Sequence, residues 1–378
     1  AWQLSSILSN LENDGTFGAA AKAWNAEVTA AYEYSSDAKN TTPSSGGTSG
    51  NEAAKSLVLT VSQDVLTGSA FADFFRGVAG VQVGSQDQTT LNSSDILDGG
   101  EGVDTLIVNL TGPNYIGGAR IKYIETLQLG TNIAAATFDY NVNQGQNEIT
   151  EVTTIVADQI NTGEVLSVQN IVRTDLAGAK VAPTLSWVND SNTQAAGVVN
   201  YTYRAAELTG AADEQKVSLK SVNNGDINLS AGFATISITS VGTEQVTLQP
   251  GADNVVADVT SGASLRTVNL AGTAEIGKNA GVLASGLTDR VVGADGTGVA
   301  TQSNLLSVAA VATKVDASTA EAAVNVRFTN TAASNNTFLG GAGNDYVEFE
   351  LGNIAANGGA GNDTFAFINT GANSTFGE

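Results

Sequence analysis

One glycine-rich, acid-tipped hexamer, GGAGND, occurs twice, beginning at Gly340 and again at Gly358. Each copy opens a nine-residue stretch, GGAGNDYVE and GGAGNDTFA, of the form G-G-x-G-x-D-x-U-x with U a large apolar residue. Such a stretch reads as a tight loop followed by a short strand, which is half of one coil. The second copy starts two such half-coils after the first. Two halves return the chain to the same edge, so the spacing predicts a parallel β-roll. In that roll Gly340 lies over Gly358 and Asp345 over Asp363.

The residue types suit a cation. Glycines let the backbone turn sharply and aim its carbonyls inward. The aspartate adds a full negative charge at the loop edge. Two carboxylates stacked in this way repel each other, and a cation between them removes the repulsion. The candidate ligands are Gly340, Ala342, Asn344 and Asp345 in the first loop, with Gly358, Gly359, Ala360, Asn362 and Asp363 in the second. The intervening half-coil FELGNIAAN (349–357) has neither the glycine pattern nor the aspartate, so the opposite edge is expected to hold no metal. One further repeat step beyond Gly358 falls on Phe376, so the chain is expected to stop inside a longer array.

Composition selects the ion. The chain has no Cys, no His and no Met. That removes thiolate and imidazole ligands, leaving oxygen donors, which favour Ca2+ or Mg2+. With 38 acidic against 16 basic residues the net charge is −22, so cations are expected partners and nucleic acid is not.

A third match, GGEGVDTLI (99–107), lies far upstream, with Asp95 nine residues before Asp104. In DVLTGSAFADFF the pair Asp64 and Asp73 is again nine apart. Asp64, Asp73, Asp95, Asp98, Gly99, Gly100, Gly102 and Asp104 therefore read as a second calcium-binding coil. Asp226, Asp253, Asp295 and Asp316, in Gly/Ala/Asn turns, are weaker candidates.

The expected fold class is all-β: a parallel β-solenoid or β-roll preceded by a short helical segment. Leu4, Ile7, Leu8 and Leu11, then Phe17, Ala21, Trp24, Val28 and Tyr32, fall at helical spacing within residues 1–39. Residues 40–56 read as a linker by their Ser, Thr, Gly and Pro content. Short alternating runs then mark a first calcium-binding module (57–130), a strand-rich solenoid or sandwich (131–336) and the roll (337–378). In the middle region the similar runs VTL at Val246 and VNL at Val268 suggest stacked units. The alanine-rich piece 305–323 leaves room for a turn or two of helix.

No apolar run is long enough to span a membrane, so no span is expected. No GxSxG, P-loop or HExxH motif is present, and Arg120, Lys122, Tyr123, Asp289 and Arg290 read as surface groups; an enzyme is not expected. Trp187, Tyr201 and Tyr203 form the one aromatic grouping suited to a sugar, and core positions suit them better.

The motifs at Gly99–Ile107 and Gly340–Ala366 resemble those of RTX (repeats-in-toxin) calcium-binding proteins. The longer stretches LTVSQDVLTGSAFADFFRG with SSDILDGGEGVDTLIVNL, and ATKVDASTAEAAVNVRFTNTAASNNTFLGGAGNDYVEF, are similar to modules of RTX-type bacterial surface-layer (S-layer) proteins. The resemblance implies a type I secreted protein on the bacterial cell surface, with Ca2+ as cofactor and other copies of itself as partners. A cell-surface polysaccharide is a further expected partner; the alternative function is an RTX-type adhesin or glycan-binding module, and behind it a polysaccharide-modifying enzyme built on a β-helix. Cytosolic Ca2+ is about micromolar or less and extracellular Ca2+ about millimolar, so weak oxygen sites would fill, and the chain fold, only after export.

Overall fold

The computed structural model describes residues 53–80, 82–83, 86–87, 89–115, 118–140, 149, 151–176, 179–189, 196–204, 207–208, 214–229, 232–242, 247–248, 265–277, 306–308, 313–328, 335–349 and 352–367. The chain divides into two compact units, Ala1–Ala53 and Ala54–Glu378, and the elements below belong to the second. The helical reading of 1–39 lies outside the described residues, as do Asp253, Asp289, Arg290 and Asp295.

Alternation of apolar and polar residues puts every second side chain on one face of a strand. Thr105–Leu110, Thr126–Thr131, Thr154–Asp158 and Thr184–Val188 all bury every second member, as in TLIVNL, where Leu106, Val108 and Leu110 point inward. These strands stack in parallel. Twelve of them, from Ser56–Val58 to Asn353–Asn357, form one continuous sheet. Between its members the chain crosses to strands of the opposite wall, which among the described residues comprises sheets of three, five and four strands. The result is a parallel β-solenoid with two walls and one core, and the sandwich alternative for 131–336 is set aside.

Core residues run as ladders through successive rungs. Phe75, Leu106, Leu127, Ile155, Leu185 and Val217 occupy one register line of the long sheet. On the facing wall Ala136, Leu166, Val199 and Ile227 form another. Phe328, Phe349 and Phe367 stack ring on ring, with centroids 5.1 and 5.7 Å apart. Each wholly buried Val, Leu, Ile or Phe of these ladders contributes about 1.5–3 kcal/mol, while Phe367 at the end of its stack is exposed. Trp187, Tyr201 and Tyr203 belong to this core. On the outer face, amide ladders join the rungs: Asn228 Nδ2 donates to Asn200 Oδ1 (2.7 Å) and Asn200 Nδ2 to Ser167 Oγ (3.0 Å). This is one use of the Asn- and Ser-rich composition.

The rung is short at both ends of the long sheet, where Ser56 pairs with Phe74 and Asn335 with Asn353, a separation of 18 in each case. Between them the steps are longer, the longest running from Thr267 to Lys314. Insertions supply part of the excess. The hairpin of Thr174–Leu176 with Ala179–Val181 sits inside the step from Thr154 to Thr184.

One expectation fails here and another is narrowed. VTL and VNL are not one rung apart. Thr247–Leu248 lies in the five-stranded wall and Thr267–Gly272 in the long sheet, where its true neighbour one rung back is Thr235–Val241. Strands of opposite walls carry the same alternation, so similarity alone cannot tell them apart. In the alanine-rich piece the described residues hold the strands Leu306–Val308 and Lys314–Ala320 in place of helix, and 305 and 309–312 lie outside the described residues. Val315 pairs with Phe338 in the ladder, and that long-range pairing overrides helix propensity. Among the described residues no helix is long and apolar enough to cross a membrane.

Candidate cation-binding corners

The glycine–aspartate loops sit where the chain turns from one wall to the other. Leu339 pairs with Asn357 and Tyr346 with Thr364, so Gly340–Asp345 lies over Gly358–Asp363, rung on rung. The loops bond to each other closely. Ala360 N–H donates to the Gly341 carbonyl (2.8 Å), Asn362 N–H to Asn344 Oδ1 (2.8 Å) and Asp345 N–H to Asp363 Oδ1 (3.0 Å). Asp345 is itself buried, and its two oxygens accept from Val324 N–H (2.9 Å) and Gly341 N–H (3.1 Å). Each carboxylate thus reaches back to the backbone of the rung before it.

This stacking gives a stricter reason for glycine than turning alone. A Cβ on Gly340 would stand 1.9 Å from the Gly358 carbonyl oxygen and 2.6 Å from Asp345 Oδ2. The two copies do not share one backbone: Gly359 and Gly361 have φ of +87° and +115°, whereas no glycine of the first copy lies in the left-handed region.

The upstream corner repeats the arrangement. Gly68 pairs over Gly99, and Gly99 over Tyr123; Asp73, Asp104 and Glu125 form the matching acidic column. Asp73 N–H donates to Asp104 Oδ1 (2.7 Å) and Asp104 N–H to Glu125 Oε2 (2.8 Å). The third loop is short and has no glycine, and Tyr123 takes the left-handed conformation there (φ 50°). Glu125 was not singled out from the sequence. Its signal is the match of Glu125-Thr126-Leu127 to Asp104-Thr105-Leu106.

Asp104 differs from its neighbours in one respect. It is fully buried, and its Oδ2 has no hydrogen-bond partner. Burial pushes its carboxyl up from the usual range. The Asp73 N–H opposes this, while the negative charges of Glu125, Asp73 and Asp98 add to it. Burial also raises Asp345, with the Asp363 charge adding to it against two N–H bonds. Asp73 goes the other way. Burial pushes it up, but the Lys55 and Ser69 backbone N–H groups, the Ser69 hydroxyl and the Lys55 charge outweigh that. The Lys55 ammonium lies on this loop, donating to the Gly68 carbonyl at 2.8 Å.

Asp64 and Asp95, nine residues before Asp73 and Asp104, sit on the opposite corner. Asp95 accepts from Asp64 N–H (2.9 Å) and Asn92 N–H (2.8 Å), and Asp64 from Thr60 N–H (2.6 Å) and Oγ1 (3.1 Å). Both oxygens of each are engaged, as those of Asp345 are, and the Asp64-to-Asp95 bond crosses between rungs. Asp98, half-buried, accepts from Gly100 N–H (3.2 Å). Gly102 turns at φ +117° against Phe71 of the loop above. Asp316 pairs with Lys314 Nζ at 2.9 Å. Asp226 lies in Asn223–Leu229, opposite Val198.

Among the described residues no group of three or more His, Cys, Asp or Glu side chains is gathered so as to hold a metal ion. A cation at either corner would have to draw on backbone carbonyls as well as paired carboxylates. Set against known proteins, the chain matches no family model, no curated protein and no solved structure.

Proposed function

We propose that this chain is part of a secreted, calcium-dependent structural protein of the bacterial cell surface, an S-layer subunit of the RTX type. The observation that carries the reading is Asp104 Oδ2, a buried carboxylate oxygen with no partner inside a column of acids. Leaving such an atom unpaired costs about 1–3 kcal/mol or more, and a cation removes that cost. The oxygen-only donor set and the −22 net charge suit Ca2+.

Asp345, Asp363 and the loop carbonyls between Gly340 and Asn362 would hold the ion at one corner. Asp104 with the Gly99–Gly102 loop would hold it at the other. Bound Ca2+ supplies positive charge between rungs. The chain's own part is to bring the loops into register, which only the folded solenoid does. An ion bound by the folded state alone stabilises it by mass action, about 2.7 kcal/mol at one hundred times Kd. The repetitive, aromatic-poor outer walls and the absence of Cys and His suit a structural role.

Ca2+ titration with EGTA reversal, followed by circular dichroism and light scattering together, tests this. Folding and assembly rising together support the lattice. Folding without assembly points to an adhesin-type binding module. Indifference to Ca2+ defeats the reading.

A further inference from the structure

We infer that Glu125, which lies outside every glycine–aspartate motif, is a cation ligand that completes a one-ion site with Asp104, and that Lys55 fills the equivalent place on the rung above. The inference rests on the calcium reading of these corners and goes further, assigning which loops take an ion and which do not.

The column has four levels in register: Lys55, Asp73, Asp104 and Glu125. At the top the protein brings its own cation. The Lys55 backbone N–H bonds Asp73 Oδ1 and its ammonium donates to the Gly68 carbonyl (2.8 Å) and the Thr67 carbonyl (3.4 Å). Carbonyls of a turning loop are the donors an oxygen-ligated metal would use, and here an ammonium takes them. Both Asp73 oxygens are also occupied, by Lys55 N–H, Ser69 N–H and Ser69 Oγ. Asp345 also accepts at both oxygens, so occupancy alone does not set Asp73 apart; the Lys55 ammonium does, because it offsets the Asp73 charge and already takes the Gly68 carbonyl that a metal would use.

One rung down, the equivalents are missing. Gly100 N–H, which follows Gly99 as Ser69 follows Gly68, donates to Asp98 instead of Asp104. Asp104 keeps one bonded oxygen, towards Asp73 N–H, and one buried oxygen with none. The residue in register above Asp104 is Asp73 and not a lysine, and Lys122 lies in register with Asp98 on the strand below. The next level adds another acid, Glu125, whose Oε2 accepts from Asp104 N–H. The bare oxygen therefore belongs to a residue bonded to a carboxylate of the next rung, and the Tyr123 carbonyl closes against Gly99. Glutamate is one methylene longer than aspartate, which offsets the shorter third corner. Two carboxylates from adjacent rungs with turn carbonyls make an oxygen set for one divalent cation of the Ca2+ class.

The test is Ca2+ binding counted by isothermal titration and native mass spectrometry on the full chain, with Glu125→Gln. Glutamine keeps a carbonyl oxygen for the Asp104 N–H and loses only the charge. The expected result is one fewer bound ion, or one step weakened at least tenfold, with Asp363→Asn affecting a different step. If Glu125→Gln binds as the parent does, the Glu125 site is wrong while calcium binding stands. If the parent binds no Ca2+, the underlying reading falls with it.

A second measurement does not depend on that variant folding. Tyr123 is half-exposed at this corner, so a Tb3+ ion at Asp104 and Glu125 is sensitised through it. Tyr123→Phe should remove part of the tyrosine-excited Tb3+ emission at unchanged stoichiometry. Unchanged emission overturns the placement.

Discussion

Asp73 and Asp345 hold the same place in their turns and end in opposite electrostatic states. Each is buried, and each accepts from the backbone of the preceding rung. Above Asp73 lies Lys55, whose ammonium bonds the loop, and the Asp73 carboxyl is held below its usual range. Above Asp345 lies Val324, which offers a backbone N–H and no charge, while Asp363 follows below; the Asp345 carboxyl is pushed up. Stacking rungs at strand spacing forces like charges into one column whatever the sequence between them. The column is stable where a positive charge interrupts it. The protein supplies that charge at the upstream end, and the proposed Ca2+ supplies it elsewhere.

The largest effect expected tests whether the two corners are equivalent in packing. A Cβ at Gly99 would stand 1.7 Å from the Tyr123 carbonyl oxygen, and one at Gly340 would stand 1.9 Å from that of Gly358. Gly99→Val and Gly340→Val should each cost about 3 kcal/mol or more, because backbone of the neighbouring rung must move. Urea midpoints at saturating Ca2+ measure this. A corner that tolerates valine would break the equivalence.

A smaller effect tests whether lysine stands in for the metal. Lys55→Met keeps the side-chain stem and removes the ammonium. The loss should be about 1 kcal/mol, since the group is partly exposed and its charge-assisted bonds are screened. Added Ca2+ should recover part of it. A loss that is the same with and without Ca2+ would mean that the lysine and the ion do not share a role.

The smallest effect is the pH dependence of the metal-free chain. Asp95, Asp104 and Asp345 have carboxyls raised above the ordinary 3.8, so the folded state binds their protons more tightly than the unfolded state. Their contribution is fully present below that ordinary value and is lost as pH rises through the folded value. In EGTA, stability should therefore increase as pH falls from neutral towards the carboxylate range. Asp73 and Asp316, whose carboxyls are lowered, act in the opposite sense, and their contribution is lost as pH falls below about 3.8. Asp104→Asn should remove part of the increase. Thermal unfolding across pH, with and without Ca2+, reads both.

Much of this is legible in the sequence. The shift from Gly340 to Gly358 between the hexamers is the rung of the roll, and the nine-residue spacing of Asp64 from Asp73 and of Asp95 from Asp104 is half of one. What stayed hidden has a common cause. Asp64 and Asp95 have the same nine-residue spacing from the next candidate, but register places them at the opposite corner, where Asp95 accepts from Asp64 N–H across the rung as Asp104 accepts from Asp73 N–H. Glu125 and Lys55 carry no motif and enter the column only through strand register. The long middle rungs hid their period, since inserted residues change the count without changing the coil.

The sequence by itself determined the periodic parts: which side chains alternate into the core, where glycine must stand, and which loops repeat. These are local consequences of strand pleat and of a rung length written into the chain. Only the tertiary structure decided which charges face one another. Lys55 meets the Gly68 loop, Glu125 meets Asp104, and Asp104 Oδ2 is left without a partner. Strand pairing sets those neighbours across 13 to 31 residues of chain, and the repeated motif that marks Asp345 over Asp363 is missing at Lys55 and Glu125.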